Sequence, residues 1–428
     1  MIRWSESTGP FFELFDWSQV PERAKGRAWP GWVPHPEQAY LKALLIKKCE
    51  NFAYITELRR FLVKHPLLVL EIGFIGVDDP QAAYGYDIER TVPCDRWLRH
   101  KQQRLSNETL QALFKKTVEA LQAEIPELGE TIVGDVKHLY AWVKENNPRE
   151  FITDRFDPAQ QPSGDPNCRL GVKRSSNQES EADQVEVKTE YLWGYGSGVI
   201  AATSSKYGDG VLAEYTQPFN ETDVTYFEPL YERVVGNLGF RPSNFAADAA
   251  FDAWHVYQPF AEVGGLVAIP LNLRGHSEPQ LGPGGFHLCP AGLEMVPSYQ
   301  YTHTKGYQAQ LLRCPLLFPQ PADQSCDHEQ FAKGGCVKHI NIERGGWLRV
   351  RLDRDSQQYQ QLYNQRTAAE RINSQAKALG IETPKVRNIQ SVVNLNTLTY
   401  LVINARALLR VRKLNLDNLP VSNQPLLC

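Results

Sequence analysis

The sequence predicts an α/β fold, a mixed sheet with an all-helical N-terminal domain before it and a cysteine-rich insertion ahead of the C-terminal helices. Three observations lead there. Residues 36–125 repeat their apolar side chains at helical spacing. Residues 131–273 then alternate short apolar runs with amphipathic stretches, in the order three strands, helix, strand, helix, strand, the pattern of a layered α/β domain. Residues 274–345 interrupt that order with Gly, Pro and four cysteines, and helical periodicity resumes at 355–380.

In chain order, AYLKALLIKKCENFAYITELRRFLV spaces Leu41, Leu44 and Leu45, then Ile55, Leu58 and Leu62, as helices do. Ser106 is placed as the N-cap of NETLQALFKKTVEAL, with Leu110, Leu113, Phe114, Thr117 and Leu121 on one face. These helices define a domain over 1–125. TIVGDVKHLYAWV (131–143) reads as a strand around an isolated acid, Asp135. Residues 145–188, full of Pro, Gly, Ser, Asn and charge, read as a long loop insertion. YLWGYGSGVIAATS and GVLAEYTQPF form a strand pair, and TYFEPLYERVVGNLG an amphipathic helix with Gly236 and Gly239 near its end. NFAADAAF (244–251) is a short buried strand carrying Asp248, and LVAIPLNL (266–273) another. The core therefore spans 126–273 and resumes at 346–428, with a last helix over 394–410 marked by Leu398, Leu401, Val402, Ala405 and Leu409.

Bulk properties bound the function. A chain of 428 residues, 42% hydrophobic and 22% charged, supports two or three globular domains. A net charge of −3 excludes a uniformly basic coat, although local patches rather than totals make phosphate contacts. MIRWSESTGPFF lacks the basic and apolar regions of a signal peptide, and LLVLEIGFIGV (67–77) is short and interrupted by Glu71, so no membrane span is expected. Eight cysteines without a signal point to reduced thiols and a cytoplasmic setting.

LYNQRTAAERINSQAK (362–377) places Tyr363, Arg366, Glu370 and Lys377 at offsets 0, 3, 7 and 14. On one continuous helix, at about 100° per residue, all four fall within about 60° of arc. Ala368, Ile372, Ala376 and Leu379 fall opposite, as an apolar stripe. Periodicity alone is equally served by a solvated face laced with ion pairs. Three acids extend the question: Asp135 after TIVG, Asp248 after NFAA, and Glu370. An acid at a buried strand end is costly unless paired or bound to a cation. Three together call for a divalent metal, and Mg²⁺ prefers such oxygen ligands.

The spacing Y-x2-R-x3-E-x6-K resembles the signature of a group of DDE transposases from bacterial insertion sequences. AADAAFDA resembles that family's second-acid block and points to Asp248 rather than Asp252, and IVGDVKHLYAW resembles its first-acid strand, with Asp135. DPNCRLGVK (165–173) is similar to the family's DPDA-x-x-G stretch, with Asn167 and Cys168 as departures. WGYGSGVIAATS resembles its GYK-x-H strand without the Lys and His. FNETDVTYFEPL and the N-terminal ITELRRFL and VPCDRWLRH segments also look like the family. The resemblance covers most of 36–410.

That resemblance implies an RNase H-like mixed sheet and a DNA transposase. It implies Asp135, Asp248 and Glu370 as catalytic ligands of two Mg²⁺ ions, with Mn²⁺ as a substitute, cutting element ends and transferring the 3′-OH into target DNA. Tyr363, Arg366 and Lys377 become DNA-binding residues. The partners implied are double-stranded DNA, at element ends and target, and a second copy in a working homodimer; the setting is the cytoplasm and nucleoid of a prokaryote. Arg96, Arg99, Lys101 and Arg104, and Arg406, Arg410, Arg412 and Lys413, are candidate clusters for tracking a duplex. Cys289, Cys314, Cys326 and Cys336, with His287, His328 and His339 among them, are candidates for a structural Zn²⁺, without a Cys-x2-Cys knuckle. Two rival readings stay open: a transposase-derived DNA-binding protein without catalysis, and an RNase H-like structure-specific nuclease.

Overall fold

A computed structural model describes residues 9–22, 34–177, 186–272, 280–304, 306–342, 348–349 and 351–417. The chain divides into two compact units, one of Met1–Gly129, Asp135–Phe240 and Thr367–Cys428, the other of Glu130–Gly134 and Arg241–Arg366.

In the first unit, helices α1 (Glu37–Cys49), α2 (Ile55–Val63), α3 (Pro66–Glu71), α4 (Ile88–Thr91), α5 (Asp95–Gln103) and α6 (Asn107–Glu124) precede the strands. The apolar spacing reads through directly: α6 buries Leu110, Leu113, Phe114, Thr117 and Leu121, and Ser106 caps it by accepting from the Thr109 amide at 3.3 Å. Strand β1 (Thr131–Tyr140) enters this unit at Asp135. β2 (Arg169–Asn177) pairs antiparallel with β3 (Glu186–Ser204), and β3 with β4 (Gly208–Pro218). The loop expected over 145–188 is thus a loop only in part. Its second half is a strand running from Arg169↔Gly194 to Asn177↔Glu186. RLGVKRSSN hid this because it has two large apolar residues, and Val172 is exposed opposite an equally exposed Tyr191. A half-wet hairpin leaves no period to read.

The glycines of WGYGSG have a steric cause. A Cβ on Gly196 would lie 1.9 Å from the Tyr226 hydroxyl, and one on Gly198 2.7 Å from the same ring. Tyr226, fully buried, crosses that face of β3 and leads into α7 (Phe227–Leu238), which Gly239 ends in the left-handed conformation.

The last helix, α11 (Ile389–Asp417), is longer than the 394–410 expected and packs on α6 and β4. By length and composition it is apolar enough to cross a membrane, but 83% of its most apolar window is buried inside the protein. Among the described strands β4 pairs only with β3, so its other edge needs partners. Asn404 of α11 supplies them at Val211, accepting from its N–H (2.9 Å) and donating to its C=O (2.8 Å).

In the second unit, Thr131–Val133 of β1 pair in parallel with β5 (Asn244–Ala246), and β5 in parallel with β6 (Val267–Ala268). With the antiparallel pairs of β2, β3 and β4, this is the mixed α/β arrangement expected. Both strands are shorter than the apolar runs suggested. β5 stops at Ala246, and Asp248 instead caps a 3₁₀ turn, Ala249–Phe251, ahead of α8 (Trp254–Glu262). The insertion holds strands the sequence did not announce: β7 (Val296–Thr302), β8 (Gln308–Arg313) and β9 (Val337–Asn341) form an antiparallel sheet in that order.

The single helix expected through 362–377 is two. α9 (Gln357–Asn364) ends, and α10 (Thr367–Ala378) begins after Gln365 and Arg366. At the join the Gln365 and Arg366 amides bond to Leu362 and Tyr363, three residues back, at 3.2 and 2.9 Å. Such bonds wind the chain more tightly than an α-helix and break its phase.

Candidate catalytic site

In the first unit, β1 carries the half-buried Asp135. Its carboxylate accepts from the Val136 amide (2.9 Å) and from Asn373 Nδ2 of α10 (2.8 Å). Glu370 stands three residues before Asn373 and is exposed. Residues three apart on a helix are surface neighbours, with Cβ atoms about 5–6 Å apart. α10 thus meets β1 through Asn373, one turn after Glu370, although Asn373 and Asp135 lie 373 − 135 = 238 positions apart. The helix is fastened from behind by Ala368, Ala369, Ile372 and Ala376, close to the stripe expected. Arg371 fastens it from the side, donating from Nε and Nη2 to the two carboxylate oxygens of Asp209, each at 2.7 Å.

Lys377 points its amine at Glu382 (3.5 Å), which also pairs with Lys137 (2.8 Å). Burial pushes the Glu382 carboxyl up, but the two lysines outweigh it and hold it below the usual range. A largely exposed pair at this distance is weak.

In the second unit, Asp248 is half-buried and accepts from the Ala250 amide at 2.9 Å. Asp252 is already engaged: its buried carboxylate takes a bidentate contact from Arg349, one bond from Tyr257 Oη (2.9 Å) and one from the Asn272 amide (2.7 Å). Tyr363 stacks on Tyr359 (5.6 Å, 13° between planes), and the Arg366 guanidinium lies 5.6 Å from the Tyr363 ring. The helix break therefore corrects one expectation: Tyr363 and Arg366 do not lie on one continuous helix with Glu370 and Lys377.

Val133↔Ala246 is the last parallel pair of β1 and β5, and Asp135 and Asp248 each follow that pair by two positions (135 − 133 and 248 − 246). Among the described residues, no three His, Cys, Asp or Glu side chains are gathered closely enough to hold a metal ion as placed.

The candidate duplex-tracking clusters are partly used by the protein itself. Lys101 pairs with Glu37 and lies over Tyr40 (4.7 Å), Arg406 donates to the Cys49 carbonyl, Arg410 to those of Tyr207 and Asp209, and Arg412 pairs with Glu124. None of the described cysteines is in a disulfide. Cys289 packs in an apolar cluster with Met295 and Leu312, against which Cys336 also lies. Burial, then the neighbouring Cys289, Cys314 and Cys326, push the Cys336 thiol up. In DPNC, Asp165 is fully buried and accepts from Tyr195 Oη (2.7 Å), while Asn167 Oδ1 accepts from the Ile389 amide that begins α11 (3.3 Å). Asn373 is the site residue the sequence reading missed. Its i+3 offset from Glu370 was the available signal.

No family model matches the chain, and no curated protein matches it. Among solved structures, the chain is similar to a piggyBac transposase in a cryo-EM synaptic complex with hairpin DNA. The identity is 10% and the TM-score 0.30, over 92% of this chain and 74% of that one.

Proposed function

We propose that the protein is a DNA transposase with an RNase H-like core, cutting DNA at element ends and joining the released 3′-OH to target DNA. One arrangement supports the reading: Asp135 and Asp248 each follow the last parallel pair, Val133↔Ala246, by two positions, and Asn373, one turn from Glu370, binds Asp135. Asp135, Asp248 and Glu370 would hold Mg²⁺, two ions per site with Mn²⁺ as a substitute, and the chemistry supplied there would be activation of water and charge stabilisation of an in-line displacement.

The chain's own residues do the rest. Asn373 fixes the Asp135 carboxylate, and the Arg371–Asp209 pair fixes the helix that carries Glu370. Lys377 exchanges its loose contact with Glu382 for a DNA phosphate, and Arg366 binds a second. Tyr363 stacks on a base near the cut. Because two ends are processed together, the working complex holds two copies of the chain on double-stranded DNA. Cys289, Cys314, Cys326 and Cys336 complete the proposal as a Zn²⁺ staple for a glycine-rich segment. Purified, unoxidised protein then contains about one zinc per chain by metal analysis, and zinc-free folded protein removes the staple.

The deciding variant is Glu370→Gln, an exposed change of near-identical shape. DNA carrying an element end should bind as before, while Mg²⁺-dependent nicking at that end falls by about 10- to 100-fold. Unchanged nicking overturns the assignment. Equal cutting of branched DNA lacking that end selects the structure-specific nuclease, and binding without cutting by the unaltered chain selects the non-catalytic protein.

A further inference from the structure

Beyond the end of β1 the first unit carries a cavity that the proposed chemistry does not use. Its volume is about 460 Å³, within the range of small-ligand sites. One wall is the chain from Tyr140 to Pro148, the other Thr383 to Arg387. Both walls are fixed. The Tyr140 amide donates to the Glu382 carbonyl (2.8 Å), and Asn146 clamps the first wall to β3 through the Ala141 and Trp193 carbonyls and the Trp193 amide, at 2.7–3.0 Å.

The lining is cationic and aromatic. Lys144, Lys385 and Arg387 line it, and no carboxylate does. Among the described residues, no acid is ion-paired with any of the three. Trp142 is 39% exposed, with the Arg387 guanidinium 5.1 Å from its ring and Tyr54, 46% exposed, edge-on at 6.3 Å. An indole held in the open beside uncompensated cations is a poor way to build a core. It is the composition that binds single-stranded nucleic acid, rings under bases and cations along phosphates.

We propose that this cavity binds unpaired DNA, one base stacking on Trp142 and its flanking phosphates contacting Lys144, Lys385 and Arg387. Tyr140 lies five residues beyond Asp135 on β1, about 17 Å at strand rise, so the strand is gripped beside the proposed cutting site. The proposal deepens the transposase reading by naming the part of the DNA this face takes, and the two fail separately. Cleavage depends on Glu370, whereas strand capture here does not.

The test is fluorescence anisotropy of a labelled ten-nucleotide oligothymidylate with the full chain, comparing unaltered protein, Trp142→Ala, Trp142→Phe, Lys144→Ala/Lys385→Ala/Arg387→Ala, and Glu370→Gln. Trp142→Ala should weaken binding by about 5- to 100-fold, as loss of one base–aromatic stack does. Trp142→Phe should recover most of that loss. The triple variant should lower the slope of log affinity against log salt by about 0.7 per lost phosphate contact, and Glu370→Gln should bind as the unaltered chain does. Binding within twofold for Trp142→Ala overturns the proposal, and so does equal competition by a polyglutamate peptide, which would make the face a site for acidic protein segments. Anisotropy is read only on variants with unchanged thermal midpoints, and the Lys144→Ala/Lys385→Ala/Arg387→Ala variant carries the test if the alanine variant does not fold, an unchanged salt slope overturning the proposal.

Discussion

Asp135 and Asp252 show why residue type alone does not mark a catalytic acid. Both follow apolar runs, yet Asp252 is engaged by the Arg349 guanidinium, Tyr257 and the Asn272 amide, whereas Asp135 accepts from an amide of its own strand and from Asn373. Asn373 presents a donor without a charge, which orients a carboxylate and leaves its negative charge for a cation. Replacing it by Leu removes a bond to a charged group and should lower stability by about 2 kcal/mol, measured by urea denaturation. Asn373→Asp should cost more, because it sets a second carboxylate against Asp135. Mg²⁺ should restore part of that loss if the acids hold metal; restoration absent up to about 10 mM would count against them.

At the scale of elements, α11 shows composition and context pulling apart. Its apolar length is that of a membrane span, but its buried face carries Asn396, Thr397 and Asn404 aimed at the open edge of β4. Asn396 donates to Thr216 Oγ1 and Thr397 to the fully buried Glu214, each at 2.8 Å, and Asn404 to Val211 and Thr117. A helix side chain here does what a further strand would do. Asn404→Leu leaves the Val211 N–H and C=O without those partners and should cost roughly 3 kcal/mol, read as a lower urea midpoint at unchanged m-value. A loss under about 0.5 kcal/mol would show that the edge is satisfied some other way. The break between α9 and α10 belongs to this scale too. No Gly or Pro marks it, so periodicity continued through a point where the backbone does not.

At the scale of the whole molecule, acid sensitivity follows from one half-buried base on β1. His138 packs against Phe219 (4.2 Å between rings), and burial, with Lys173 and Lys137 adding repulsion, pushes its pKa down to about 4. The unfolded chain takes up this proton near pH 6.5 and the folded chain only near 4. The stability this group contributes is therefore complete above about 6.5 and is lost as pH falls toward 4, on the order of 3 kcal/mol in all. Glu382, held low by its lysines, adds to the loss at the acid end of that window. His138→Gln should flatten the fall of the urea midpoint between pH 7 and 4.5; an unchanged slope would remove His138 as its source.

Helices 37–124, the strands of 131–140 and 191–218, and the amphipathic α7 were legible because each has a wet side and a dry side, and one-sided burial writes a period into the sequence. The acids were legible as isolated charges in apolar runs, and Glu370 by the company it keeps in Y-x2-R-x3-E-x6-K. What the sequence by itself determined was therefore the mixed α/β class, most elements and a short set of candidate groups. Only the tertiary structure decided that β2 is a strand, that the insertion holds a sheet, that the 362–377 face is split, that Asp252 is engaged and that Asn373 meets Asp135. Each of these depends on which partner lies across a ladder or beside a helix, up to 238 positions away, and a local pattern holds no record of a partner so distant.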